Sequence, residues 1–143
     1  MLLTVLINAA GVFAVVLGIL HFTFPERFGF RDALSGDGPS PPAFRLWFYR
    51  YPFRRTELLG VIQIMNHCVS YTILSIGVFD LFASRWRGSS TGVWLAAWVA
   101  GFWLVRATTQ LYLGRRRGDW FVMSIFTALA FLHAAVAWVD AGM

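Results

Sequence analysis

The segment LLGVIQIMNHCVSYTILSIGVF, residues 58–79, carries no formal charge, yet sets Asn66 and His67 side by side near its centre. A helix needs about 20 such residues to cross the ~30 Å hydrocarbon core of a bilayer. Three further runs have similar character and length: Leu2–Thr23, Gly92–Leu113 and Trp120–Val139. The sequence therefore predicts an all-α fold, a polytopic antiparallel bundle of four transmembrane helices. The spans lie near 2–23, 58–79, 92–113 and 120–139, and residues 1–143 form a single membrane domain. Composition agrees, because the chain is 58% hydrophobic and only 13% charged, against about 25% charged in an ordinary soluble domain.

The first run reads as a retained span. No Lys or Arg precedes it, its apolar part exceeds the ~7–15 residues of a signal peptide, and no small-residue cleavage site follows. All twelve basic residues are Arg. Arg27, Arg31, Arg45, Arg50, Arg54 and Arg55 precede the second span, and Arg115, Arg116 and Arg117 separate the third from the fourth; the opposite connection holds Arg85 and Arg87. The positive-inside rule then places both Arg-rich connections in the cytoplasm and both termini on the outer, periplasmic side of a bacterial inner membrane. A net charge of +5 is explained by topology and anionic lipid rather than by nucleic acid. Cys68 is the only cysteine, so no internal disulfide, CxxC redox pair or thiolate metal cluster is possible. No metal site is expected.

The connection 24–57 contains a turn-rich breaker, SGDGPSPP at 35–42, and then AFRLWFYRYPFRR at 43–55. The second stretch interleaves aromatic residues with arginine and is expected to lie in the membrane interface. Arg45, Trp47, Arg50, Arg54 and Arg55 would then contact lipid headgroups. Thr56 is the expected N-cap of the second span, with Glu57 in its first turn.

In the second span Gly60, Gln63, His67, Ser70, Leu74 and Gly77 recur at steps of three and four, which predicts one interior face with Asn66 at its edge. Polar groups without partners are unfavourable in lipid, so this face should point into the bundle. The first span offers Thr4, Asn8, Gly11 and Gly18, with His21 near its end. Small residues there permit close helix approach. The fourth offers an alanine stripe, Ala130, Ala134 and Ala137, with His133 beside it. Sorted by depth, Arg106, Asn66, His67, Gln110, Gln63 and His21 form an inner polar layer, the expected ligand- or partner-binding site. Asn8 and His133 form a sparser outer layer.

Arg106 is the most informative residue. A guanidinium within a span costs at least ~2.5 kcal/mol on insertion scales, and no carboxylate is expected at its depth. Its partner would be a neutral acceptor, with Asn66 first among them, or an anionic or carbonyl-bearing ligand. The alternative is snorkelling to the headgroups. A bis-histidine haem would need His21, His67 or His133 paired at equal depth, whereas their depths differ by roughly 7–10 Å.

HFTFPERF at 21–28, MNH at 65–67 and FWLVRATTQLY at 102–112 together resemble small four-helix bacterial membrane proteins loosely grouped as DoxX-like. The resemblance implies a four-helix bundle in the bacterial inner membrane, in a group linked to quinone or redox complexes. No catalytic constellation accompanies it. The leading functional expectation is an accessory subunit of a larger respiratory or photosynthetic membrane complex, binding lipid and partner helices. The alternatives are a quinone- or haem-binding redox component and a small transporter component. The last is disfavoured by the apparent lack of an intramembrane carboxylate.

Overall fold

Within a bilayer every backbone N–H and C=O must find a partner in its own segment, so uninterrupted apolar runs fold as helices. A computed structural model describes residues 1–34, 44–46, 49–51, 55–112 and 117–142. The long helices are α1 (Leu2–Phe22), α4 (Arg55–Leu81), α6 (Ser90–Thr109) and α7 (Arg117–Ala141). Short helices α2 (Phe24–Arg27) and α3 (Phe30–Leu34) follow α1, and α5 (Ala83–Trp86) separates α4 from α6. An antiparallel ribbon is also described, β1 (Phe44–Leu46) with β2 (Tyr49–Tyr51), whose register sets Arg45 opposite Arg50. Trp47 and Arg54, the breaker at 35–42 and Arg115 and Arg116 lie outside the described residues.

Among the described residues three helices are long and apolar enough to cross a membrane: Leu2–Phe22, Glu57–Leu81 and Arg117–Ala141. The fourth, α6, has a span's length of roughly 30 Å, but Arg106, Thr108 and Thr109 lower its hydropathy. Several boundaries differ from those expected. Helix α4 starts at Arg55, which puts Thr56 inside the first turn rather than at the N-cap. It also runs past Phe79 to Leu81 and so takes in Asp80, while α7 runs past Val139 and takes in Asp140. Helix α6 gives up α geometry after Thr109, and Gln110–Tyr112 form a 3-10 turn. Its other end is capped by Ser89, whose hydroxyl accepts from the Gly92 N–H at 3.0 Å.

The chain divides into two compact units, Met1–Phe13 with Ile76–Met143, and Ala14–Ser75. In the first, α6 packs on α7. Ile7, Ala83, Ala96 and Val136 form a buried cluster, with Leu3, Trp86, Leu132 and Ala137 against it. The buried face of α7 comprises Phe126, Leu129, Ala130, His133, Val136 and Asp140. Of the expected alanine row, Ala130 is buried and Ala137 packs against this cluster, whereas Ala134 is exposed and His133 joins the buried face. The start of α1 approaches the end of α4 closely. A Cβ on Gly11 would stand 2.8 Å from the Asp80 Cβ, 2.9 Å from the Gly77 carbonyl oxygen and 3.0 Å from the Leu81 nitrogen. In the second unit a Cβ on Gly18 would lie 2.8 Å from the Leu74 nitrogen.

Both contacts include backbone atoms, which cannot rotate away. Gly11→Ala is therefore expected to destabilise the protein by about 1–3 kcal/mol, as overpacking does. Gly60→Ala, with nothing within 4 Å of the new methyl, should not destabilise. Unfolding by SDS in mixed micelles measures both. Equal stability of the two variants would show that the helices slide apart at little cost.

Candidate functional site

Buried polar side chains in a membrane helix need partners inside the protein, so their hydrogen bonds reveal which of them the fold has already used. In the first unit two carboxylates anchor such a set. Asp80 is 1% exposed and His133 fully buried. His133 Nε2 lies 3.1 Å from Asp80 Oδ2 and 3.3 Å from Oδ1, and Nδ1 lies 2.8 Å from the Leu129 carbonyl oxygen. A carbonyl only accepts, so Nδ1 must carry a hydrogen. A second hydrogen must then sit between Nε2 and the carboxylate, either as imidazolium with carboxylate or as neutral imidazole with carboxylic acid. The pair holds one shared proton in either form.

Asp140 serves a different geometry. Arg87 grips it with Nε to Oδ2 at 3.1 Å and Nη2 to Oδ1 at 2.6 Å, a bidentate ion pair. The Gly88 N–H donates to Oδ2 at 3.1 Å, and Arg87 Nη1 donates to Thr4 Oγ1 at 2.9 Å. One side chain thereby ties α1 to the end of α7 through the corner between α5 and α6. Asn8, one turn after Thr4 on α1, keeps its Oδ1 buried and unpartnered. The sequence reading expects no intramembrane carboxylate; the C-terminal ends of α4 and α7 reach past the apolar runs and carry two, Asp80 and Asp140. Comparison with protein-family models, curated proteins and solved structures finds no match.

The second unit holds most of the expected inner layer. His21 is buried, with Nδ1 3.1 Å from Ser70 Oγ. The Ser70 hydroxyl donates to the Asn66 carbonyl oxygen at 2.6 Å, so it accepts from His21, whose Nδ1 must carry hydrogen. Asn66 Nδ2 donates in turn to the His21 carbonyl oxygen at 3.0 Å. Gln63 lines a depression of about 280 Å³ with Pro25, Glu26, Gly29, Arg31 and Asp32.

His67 departs from expectation. It is exposed, in contact with Phe22 at 5.7 Å between ring centroids. The buried stripe of α4 includes Ser70, Ile73, Ile76, Gly77 and Asp80. The expected interior face was thus rotated by one residue, about 100°, and Asn66 rather than His67 makes the polar contact there. Asn66 belongs to one unit and Arg106 to the other.

Arg106 is half-buried over the Phe126 ring, 5.5 Å from its centroid, and its Nε is buried without an acceptor. Gln110, in the 3-10 turn, lies beside Leu111, Asp119, Trp120 and Met123. Among the described residues no group of three His, Cys, Asp or Glu side chains could hold a metal ion. A haem iron could bind His133 through Nε2 only by displacing Asp80, while Nδ1 kept its bond to the Leu129 carbonyl oxygen. Asp80, Arg87 and Asp140 escaped the sequence reading, although the signal was present: each carboxylate stands alone at the end of an apolar run.

Proposed function

We propose that this chain is an accessory subunit of a larger membrane complex, respiratory or photosynthetic, in a bacterial inner membrane. In this reading α6 completes four spans, the Arg-rich connections face the cytoplasm and both termini face outward. The observation that carries it is His67. This imidazole is exposed on α4, roughly 18–21 Å from either end of the helix. A polar ring with no acceptor or donor in hydrocarbon costs several kcal/mol. A partner helix that offers a hydrogen-bonding group at mid-depth removes that cost. The exposed aliphatic residues of α1, among them Val5, Val12, Val16 and Ile19, suit lipid equally well and do not discriminate.

Cys68 is exposed beside His67 and is the only thiol in the chain. A photoactivatable maleimide placed there in native membranes should cross-link a membrane protein of discrete mass. His67→Leu should weaken that product while leaving the isolated subunit at least as stable, since leucine keeps an apolar contact with Phe22 and removes a polar ring from the exposed face. Lipid adducts alone, unchanged by His67→Leu, would remove the partner.

The shared proton of Asp80 and His133 favours a second reading, a transporter component that moves protons. A buried carboxylate is the usual carrier in such proteins. Proton flux in proteoliposomes that is abolished by Asp80→Asn would support it, and undiminished flux would reject the role for this pair.

A further inference from the structure

We propose that the depression between Gln63 and the hook formed by α2 and α3 binds the phosphoethanolamine headgroup of a membrane phospholipid. The inference rests on the membrane reading above but not on the partner at His67. The end of α1 is held against α4 by Asn66 Nδ2, which donates to the His21 carbonyl oxygen at 3.0 Å, and by His21 Nδ1, 3.1 Å from Ser70 Oγ. Gln63 is the next position of that face of α4, one turn before Asn66. Around it, across a depression of about 280 Å³, stand Glu26, Arg31 and Asp32 of the hook, with Pro25 and Gly29. Gly29 makes the turn between α2 and α3 at φ +62°, a conformation glycine adopts without strain. That turn returns Arg31 and Asp32 to the depression that Glu26 already lines.

The same hook carries rings suited to the membrane interface. Phe28 contacts Phe24 at 5.1 Å and Phe30 at 6.1 Å between centroids, and it is 63% exposed. Aromatic rings of this kind settle where headgroups meet acyl chains, which sets the depression at headgroup level just past the end of α1. Gln63 lies deeper, about 9 Å along α4 from Glu57, inside the apolar run. Its half-buried amide has no hydrogen-bond partner among the described residues, and such a group in a span calls for one. The chemistry of the lining selects the occupant. Glu26 and Asp32 set two negative charges against the single positive charge of Arg31, which disfavours an anionic headgroup. Phosphoethanolamine offers an ammonium to the carboxylates, a phosphate to Arg31 and an ester or phosphoryl oxygen to the Gln63 amide. An ammonium has three N–H donors, whereas the quaternary nitrogen of phosphocholine has none. Size agrees as well: about 280 Å³ holds roughly nine waters at ~30 Å³ each, and this headgroup has a similar number of non-hydrogen atoms.

The test uses the whole chain in nanodiscs with equal parts of phosphatidylethanolamine, phosphatidylcholine and phosphatidylglycerol, released gently into a native mass spectrometer. The expected result is one phosphatidylethanolamine retained per chain in preference to the other two. Retention should fall about fivefold in Glu26→Gln and in Arg31→Gln, each of which removes one charge-assisted contact from a solvent-accessible site. It should fall about threefold in Gln63→Leu, which removes a neutral hydrogen bond. Arg27→Gln removes the same charge from an exposed side chain of the hook that does not line the depression, and should retain lipid as the natural chain does. All four side chains are exposed or half-buried, so the variants keep the fold. The readout involves neither His67 nor Cys68, so failure here is distinct from failure of the partner interface. A second arm uses phosphatidylcholine discs with free phosphoethanolamine. An adduct sensitive to both Glu26→Gln and Arg31→Gln would show a site for a soluble zwitterion and overturn the lipid. Preferred retention of phosphatidylglycerol, equal retention of all three lipids, or equal losses in Arg27→Gln and Arg31→Gln would overturn the site and leave a hydrated depression.

Discussion

His133→Leu is expected to destabilise the protein by about 3–5 kcal/mol, the usual cost of removing one member of a buried charged pair. Asp80 would remain 1% exposed, with its acceptor oxygens facing a methyl group. Asp80→Asn should behave differently and stay within about 1 kcal/mol. His133 Nδ1 is committed as a donor to Leu129, so a neutral ring presents a bare Nε2 to position 80. The amide of Asn can donate to that nitrogen and so replaces the shared proton with a permanent N–H. Changing both residues to leucine should recover most of the loss, since apolar replacements of a buried pair are often neutral or stabilising. SDS-titrated unfolding of the three variants in mixed micelles decides the matter. If Asp80→Asn proves as damaging as His133→Leu, the pair is an obligatory ion pair that a neutral hydrogen bond cannot replace.

The helices were legible in the sequence because their signal is continuous: twenty apolar residues leave few alternatives to a buried or membrane helix. Where they end and which way they face were less legible. The apolar runs stop at Phe79 and Val139, and treating the next charge as the boundary discards Asp80 and Asp140. A helix does not end where hydropathy falls; it ends where backbone hydrogen bonding is interrupted, at Leu81 and Ala141. Facing has a second cause. The steps of three and four around His67 and Ala134 fit two neighbouring stripes about equally well, and lipid and protein interior are both apolar. Polarity alone therefore selected the wrong neighbour in α4. The buried stripe includes residues that would otherwise be passed over as ordinary, Ile73 and Ile76 among them. The sequence sets His133 in a layer with Asn8, but it names no partner for it as long as the second span ends at Phe79 and leaves Asp80 outside. The orphaned indole of Trp103 leaves no trace in sequence, because an unpartnered N–H is a property of the packed neighbours alone.

Asp140→Asn, in contrast to Asp80→Asn, is expected to cost about 3–5 kcal/mol, as much as Arg87→Leu. The two carboxylates differ in what faces them. Every group that Asp140 meets is a donor: Arg87 Nε, Arg87 Nη2 and the Gly88 N–H. An amide at position 140 must turn its NH₂ toward at least one of these, so a hydrogen bond becomes a clash of donors and the guanidinium loses its counter-charge. The Arg87 side chain is 14% exposed and that of Asp140 fully buried, so solvent can screen little of the loss. Arg87→Leu strands the same carboxylate with the Gly88 N–H alone and also frees Thr4 Oγ1, which loosens α1 from the corner. Thr4→Val removes only the peripheral bond and should cost about 1 kcal/mol. Arg87→Lys restores charge without the fork, and a point charge cannot occupy both carboxylate oxygens and the hydroxyl together, so its stability should fall between the natural chain and Arg87→Leu. Unfolding free energies ordered in this way, with Asp140→Asn well below Asp80→Asn, follow from donor and acceptor identity. Equal effects of the two amides would mean that burial of charge, and not the pattern of hydrogens, sets the stability of this end of the protein.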